Sequence, residues 1–368
     1  MHVAIVGCGQ LARMMALEGW PLGLRFSFLA APGEDDRCVR GLGDVVEVAG
    51  DESPELLFQK LGCPDVVTVE REEVDVTLLT GLQHHCVVYP PPQAIADSQH
   101  RGREKRCLNR LGITTAPYRL VDELDDLPAA VGELGYPVFI KACRNGYDGR
   151  NQWRLSDAQG LERFMAEQAG LTDLVVEAQV PFEREVSLIA VRSRQGDLRC
   201  YPLTENRHRD GILISSIAPA AGLGDGLHEQ AQWIARRLLT HWDYVGVLSI
   251  ECFVAQERLI VNEVAPRVHN SGHWSQQGSA CSQFENHLRA VCGMSLGATD
   301  PLQHAGMVNM LGDLAPADVL NQPNVHPHLY GKSSRARRKM GHLNLVHGDR
   351  AALEQQLAAI VAQLHPSG

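Results

Sequence analysis

Glu251 and Glu263 sit in two apolar, β-branched runs, VGVLSIECFV and LIVNEV, and a hairpin turn centred on Glu257 sets them directly cross-strand on one face. Like charges so placed destabilise a sheet. A divalent cation between them reverses that penalty, because oxygen-rich carboxylate pairs hold Mg²⁺ against nucleotide phosphates. Asn262 adds a neutral oxygen beside them. In another register one glutamate faces solvent, and the pattern leaves both arrangements open. Upstream, Lys141 ends the apolar run PVFIKA, where an ammonium must snorkel outward or meet an anion. Gly146 and Gly149 follow, with backbone N–H groups able to fold over phosphates, and Arg150 adds a planar donor fork. The glycines alone read as an ordinary hairpin loop; with Lys141 at its root the loop points to phosphate. Near the C-terminus Arg335, Arg337, Arg338 and Lys339 form a basic cluster, a pattern that is usually a solvated face.

These groups need elements to hold them. VAIVGCGQLARMMALEGW reads as a buried strand, a glycine turn at Gly7 and Gly9, and a helix with Leu11, Met14, Met15 and Glu18 at helical spacing. That order implies a parallel α/β domain. Further strands are expected at 25–29, 45–48, 66–69 and 87–89, after which Pro90-Pro91-Pro92 stops regular structure and places the end of a first domain at residue 96. A charged helix is expected from Arg103 to Leu111 and a second within Leu120 to Gly135. PVFIKA, the polar flap and QWRL read as strand, loop and strand, and LVVEAQV, EVSLIAV and the carboxylate hairpin as a central antiparallel sheet. The middle domain is placed at 97–295 and a small C-terminal domain at 296–368.

The bulk numbers set limits on function. A chain of 368 residues with 44% hydrophobic content can bury more than one core. A net charge of -10 argues against nucleic acid or an anionic membrane as the main partner. Ten cysteines without a C-x-x-C pair read as reduced, buried small residues, and the short run Val3 to Val6 is no signal-peptide core. A cytoplasmic location is expected.

KACRNGYDGRNQW, VVEAQVPFEREVS, LTENRHRDGI, IECFV and VNEVAPRVHNSGHW, in that order, resemble the ATP-grasp core of the 5-(carboxyamino)imidazole ribonucleotide synthase family. GCGQLARM, MVNMLGD and RRKMGHLN extend the resemblance over essentially the whole chain. It implies an α/β and α+β ATP-grasp fold: a doubly wound N-terminal domain of the biotin-carboxylase type, two sheets that clamp the nucleotide, and a small C-terminal domain. It implies ATP and Mg²⁺, with bicarbonate and 5-aminoimidazole ribonucleotide as substrates, and a homodimer. In that reaction bicarbonate attacks the γ-phosphate, and carboxyphosphate, or CO₂ released from it, is captured by the exocyclic amine.

By the same resemblance, Arg101 and Lys141 meet the phosphates and the loop of Gly146, Tyr147, Asp148, Gly149, Arg150, Asn151 and Gln152 covers them. Glu177, Ala178, Gln179 and Val180 line the adenine, Glu185 holds the ribose, and His208 and Asn262 complete the pocket. Glu251 and Glu263 hold Mg²⁺. Arg267, whose guanidinium suits a planar oxyanion, orients bicarbonate with help from His269 and Asn270. Tyr147, Asp148 and Arg150 meet the ribonucleotide, with Lys332, Arg338 and Lys339 toward its 5′-phosphate.

This chain departs from the family pattern at Asn151, Ala12, His100 and Glu73, and the His100 change puts the local partner of Arg101 in question. The glycine turn with Ala12 also suits a nicotinamide-dependent dehydrogenase. That reading expects an acidic residue at the end of the second strand, where Leu29-Ala30-Ala31 stand. The turn is instead expected near the ribonucleotide phosphate.

Overall fold

A computed structural model describes residues 1–50, 52–144, 146 and 151–366. The first sheet is parallel: β1 (His2–Val6), β2 (Arg25–Ala30), β3 (Asp44–Glu47), β4 (Val66–Val69) and β5 (Val87–Val88), in the order β3-β2-β1-β4-β5. Its central strand β1 is buried throughout, as a continuous apolar run requires when both faces are covered. The Gln10–Gly19 helix covers one face with Leu11, Met14 and Met15 and packs against the Gln283–Val291 helix.

The second sheet is β6 (Tyr118–Glu123), β7 (Val138–Ala142), β8 (Gln152–Leu155) and β9 (Thr172–Ala178), in the order β6-β9-β7-β8. The third carries β10 (Arg184–Arg192), β11 (Leu198–Cys200), β12 (Thr204–Arg209), β13 (Ile212–Ala218), β14 (Gly246–Ala255), β15 (Arg258–Ala265), β16 (His304–Leu311), β17 (Val325–Leu329) and β18 (Lys339–His347). The path runs β15-β14-β10-β12-β13-β16-β18-β17, with β11 beside β10. Helices Arg101–Arg110 and Asp225–His241 bury Leu108, Ile234 and Leu238 against β10, β14 and β15.

Two expectations need correction and two are refined. Pro92 opens a helix, Pro92–Ser98, so the chain resumes regular structure at once and a division at residue 96 cuts that helix. Proline at the first helical position loses no hydrogen bond, and its fixed φ suits the turn. The segment from Leu120 begins as β6, whose YRLVDE pairs with β9, and its helix is only Leu127–Leu134. LVVEAQV lies in the four-stranded sheet rather than beside EVSLIAV. The small C-terminal domain is joined to the middle one by a shared sheet: β16 pairs with β13, Ser215 opposite Val308, and extends the large sheet.

Candidate active site

Glu251 and Glu263 do face each other across β14 and β15, by a route the hairpin pattern hid. The turn is the two-residue pair Gln256 and Glu257, both in the left-handed region at φ 51° and 59°, and so is centred before Glu257. Cys252 then pairs with Val261, which leaves Asn262 as the extra residue of a β-bulge, and the bulge brings Glu263 opposite Glu251. Burial, then the Glu263 charge, push the Glu251 carboxyl up to about 7. Glu251 lies 3.3 Å from His269 Nε2, and Glu263 takes Arg101 at 3.2 Å. This is the donor set a hard cation fits: two carboxylates disfavoured together without one, and a neutral amide oxygen alongside.

Lys141 is buried on β7, its Nζ 2.8 Å from Glu177 and 3.3 Å from Asn262 Oδ1. Burial would push the Glu177 carboxyl up, but Lys105 and Lys141 outweigh it and hold the group at about 2. The Glu177 side chain thus serves the lysines. Ala178 N–H donates to Pro117 at 2.9 Å, Gln179 N–H to Pro137 at 3.1 Å, and the Gln179 side chain accepts from Arg154 at 3.0 Å; Val180 is half-buried. Gln152 pairs with Lys141 across β7 and β8, and Asn151 adopts φ 52°, a conformation asparagine tolerates. Gly146 accepts from Arg101 at 2.7 Å. Tyr147, Asp148, Gly149 and Arg150 lie outside the described residues.

Glu185 on β10 and His208 on β12 share a hydrogen bond. Burial disfavours the charged imidazole, but Glu185 and Glu251 overcome it and raise the His208 pKa. Phe253 lies directly opposite Glu185, two residues from Glu251 on the same face, and stacks on Phe182 at 4.6 Å. The sequence reading passed over this apolar wall; the alternate spacing Glu251, Phe253 was its signal.

Arg101, Gly146, Glu263, Arg267, His269, Asn270, Lys332, Arg338 and Lys339 line one cleft of about 1050 Å³. Within it Arg267 is already gripped: Nε and Nη2 donate to Glu72, the latter at 2.9 Å, and Nη1 to the Val268 carbonyl at 3.1 Å. Asn270 and Asn309 form a reciprocal amide pair at 2.7 and 3.0 Å. Burial, then Arg267 and Lys339, keep His269 neutral by pushing its pKa far down. Lys332 reaches Gln10, and Arg338 meets Asp35 at 3.1 Å, so the basic cluster faces the first domain rather than only solvent.

The glycine turn reaches this cleft through Gly9 and Gln10, yet three of its amides are taken. Cys8 N–H donates to Glu34 at 3.0 Å, and the Gly9 and Ala12 amides donate to Glu70. Any anion at that turn would meet two carboxylates first. His100 keeps a cap where aspartate is common, its Nδ1 accepting from Gly102 and Arg103 at 3.1 and 3.3 Å. Glu73 also lines the cleft, with its pKa raised by burial and by Glu72. Lys105, Glu70 and Glu72 went unremarked in the sequence. Lys105 stands four residues after Arg101 on one helix face, and the two glutamates follow β4 at the carboxyl end of a parallel strand, where ligands gather.

Comparison with known proteins adds a second line of evidence. The chain matches the ribonucleotide synthetase preATP-grasp domain over residues 1–99, the ATP-grasp domain over 106–284 and the phosphoribosylaminoimidazole carboxylase C-terminal domain over 305–356. It is 41% identical to an N5-carboxyaminoimidazole ribonucleotide synthase of Pseudomonas aeruginosa, covering 98% of this chain and 99% of that one. One of Vibrio vulnificus is 40% identical over 98% of this chain and 94% of its own. Among solved structures, an N5-carboxyaminoimidazole ribonucleotide synthetase of Thermus thermophilus superposes with a TM-score of 0.91 at 40% identity, covering 100% and 99% of the two chains. A synthase of Aspergillus clavatus, solved with ADP and 5-aminoimidazole ribonucleotide, gives 0.88 at 28% identity over 98% of each chain.

Proposed function

This chain belongs to the N5-carboxyaminoimidazole ribonucleotide synthase family of ATP-grasp ligases, and we propose that it carries out that family's reaction with the residues described above. It carboxylates 5-aminoimidazole ribonucleotide with bicarbonate at the expense of ATP, giving the N5-carboxyamino product, ADP and phosphate in purine biosynthesis. The observation that carries the site assignment is the bulge that sets Glu251 against Glu263, with Arg101 on Glu263, His269 on Glu251 and Lys141 on the bulged Asn262.

Lys141 and Arg101 bind and orient the phosphates, and the 177–180 backbone with Phe253 forms the base pocket beside the Glu185 ribose contact. Glu251, Glu263 and Asn262 would hold Mg²⁺, which neutralises phosphate charge when bound. Arg267, fixed by Glu72, keeps two of a guanidinium's five N–H donors for bicarbonate and the carboxyphosphate that forms when bicarbonate oxygen attacks the γ-phosphorus and the bond to the β,γ-bridging oxygen breaks, ADP leaving. His269, held neutral, accepts from the Ser271 amide at Nδ1 and so presents its Nε2–H to Glu251, orienting that carboxylate beside Arg267. Lys332, Arg338 and Lys339 hold the 5′-phosphate of the ribonucleotide, whose amine then attacks the carboxyl carbon and expels phosphate. Exclusion of water from the anhydride falls to the 145–151 loop. Ten cysteines without a disulfide among the described residues suit a reducing cytoplasm, and no described helix is long and apolar enough to cross a membrane. The functional unit is taken as a homodimer, which sedimentation velocity tests.

The deciding assay is ADP release with Mg²⁺ and bicarbonate, with and without the imidazole ribonucleotide. Strong stimulation by the ribonucleotide is expected. Stimulation by formate with glycinamide ribonucleotide instead would overturn the assignment.

A further inference from the structure

We propose that Lys105, seconded by Glu104, is a positioning residue that fixes the Glu263 carboxylate and the Lys141 ammonium in one frame. The proposal rests on the reading of Glu263 as a metal ligand and Lys141 as a phosphate contact. β15 is the edge of the nine-stranded sheet, so the backbone groups on its outer side have no strand to pair with. As far as Val261 a short segment supplies one partner, with Val261 N–H donating to Thr114 at 2.8 Å. At the bulge that support ends, and the Arg101–Arg110 helix takes over.

Lys105 Nζ donates to the Asn262 carbonyl at 3.1 Å, and Val264 N–H donates to Glu104 Oε2 at 3.2 Å. Those are the two peptide groups on either side of Glu263. Adjacent side chains of one rigid helix therefore stand in for the missing strand at the single residue whose direction matters most. Lys105 and Glu104 are 1% and 4% exposed, a costly place for charges whose net return in stability is small. The same ammonium lies 3.0 Å from Glu177, whose other oxygen takes Lys141 at 2.8 Å, and Lys141 returns to the Asn262 side chain at 3.3 Å. The ring Lys105, Glu177, Lys141, Asn262 closes on the bulged residue and couples the metal carboxylate to the phosphate lysine.

The test is ADP-dependent Mn²⁺ binding to the full-length protein, followed by electron paramagnetic resonance beside steady-state turnover. Lys105→Met, which keeps the length and loses the ammonium, should weaken Mn²⁺ binding at least about tenfold, as loss of a partner behind a metal ligand does. Lys105→Met/Glu177→Gln separates positioning from simple charge balance, because it removes the buried carboxylate together with its counter-ion. Mn²⁺ binding should stay weak in the double variant, since the Asn262 carbonyl still lacks its donor. Wild-type Mn²⁺ affinity in either variant overturns the proposal. Should Lys105→Met not fold, the double variant carries the same two outcomes. Glu263→Gln in the same titration guards the premise: if it binds Mn²⁺ as well as the wild type, the metal assignment falls. If it loses the ion while Lys105→Met keeps it, only the positioning role falls.

Discussion

Arg267 commits three donors to Glu72 and Val268 before any substrate arrives, so its orientation is set by the protein. Arg267→Lys keeps the charge and loses the fork, and should cost about 3 kcal/mol of transition-state stabilisation, roughly a hundredfold in turnover. Nucleotide titration beside turnover at varied bicarbonate checks this: ATP affinity should change less than about twofold, and a parallel loss would move Arg267 to the nucleotide site or the scaffold. At the carboxylate pair, burial and Glu263 already disfavour the Glu251 charge, so Glu251→Gln should abolish turnover while leaving the ligand-free melting temperature unchanged or higher. A turnover assay beside calorimetry of the ligand-free protein reads both halves of that expectation; near-normal turnover or a large drop in the melting temperature would contradict it. Glu263 is the poorer probe, because Arg101 offsets its charge at 3.2 Å. At this scale the sequence was most legible where a residue type is improbable in its setting, as with Lys141 at the end of an apolar strand. Lys105 and Glu72 were illegible for the opposite reason. A lysine in a charged helix and a glutamate after a strand look ordinary until the fold buries them against partners 157 and 195 positions away.

The carboxylate hairpin shows what a sequence pattern can and cannot carry at the level of elements. Two β-branched runs announce the strands, and the period of two announces the face, but a bulge is one extra residue without a composition of its own. The turn centre and the bulge at Asn262 compensate each other, so the expected pairing holds although the expected turn does not. That turn holds Gln256 and Glu257 in the left-handed region, which costs an ordinary residue about 1 kcal/mol or more. Gln256→Asn with Glu257→Gly should therefore stabilise the protein by about 1 kcal/mol, read as a higher midpoint in urea. A lower midpoint would mean that the tip is held by contacts the new residues cannot make. The Pro92–Ser98 helix was misjudged because proline both ends regular structure and begins helices, and only the packing of Ala94 and Ile95 decides. β6 was not among the expected strands because a strand half exposed at the edge of its sheet offers a weak apolar alternation.

Across the whole molecule, His287 ties the parallel sheet to the large one, with Nε2 2.8 Å from Thr68 on β4 and Nδ1 accepting the Val247 amide of β14 at 3.1 Å. Burial pushes its pKa down to about 4. The unfolded chain takes up this proton near pH 6.5 and the folded one only near 4, so stability is lost as pH falls through that window, by about 3 kcal/mol in all. Urea midpoints between pH 7 and 4 should fall more steeply for the wild type than for His287→Gln; equal slopes would remove His287 from the account. Buried His273 and His342 are shifted the same way and steepen the loss in both proteins. The three-part layout was readable in outline, yet the last segment hid its attachment, because edge-to-edge pairing of β13 with β16 leaves no mark in either strand's composition. That attachment bears on the order of events in turnover. The chain from Lys332 to Lys339 runs into β18, in the same continuous sheet as Glu251 and Glu263, whereas Lys141 lies on β7 of the separate four-stranded sheet. On the assignment proposed above, the contacts to the acceptor's 5′-phosphate and the metal carboxylates share one platform, and the phosphate lysine stands on another. On that assignment ADP can come and go at the four-stranded sheet alone, with unreacted ribonucleotide still seated on the large one. The rate at which labelled ribonucleotide dissociates, measured by isotope trapping, should be the same with ADP present or absent; a rate that ADP changes severalfold would mean that the two platforms release their ligands together.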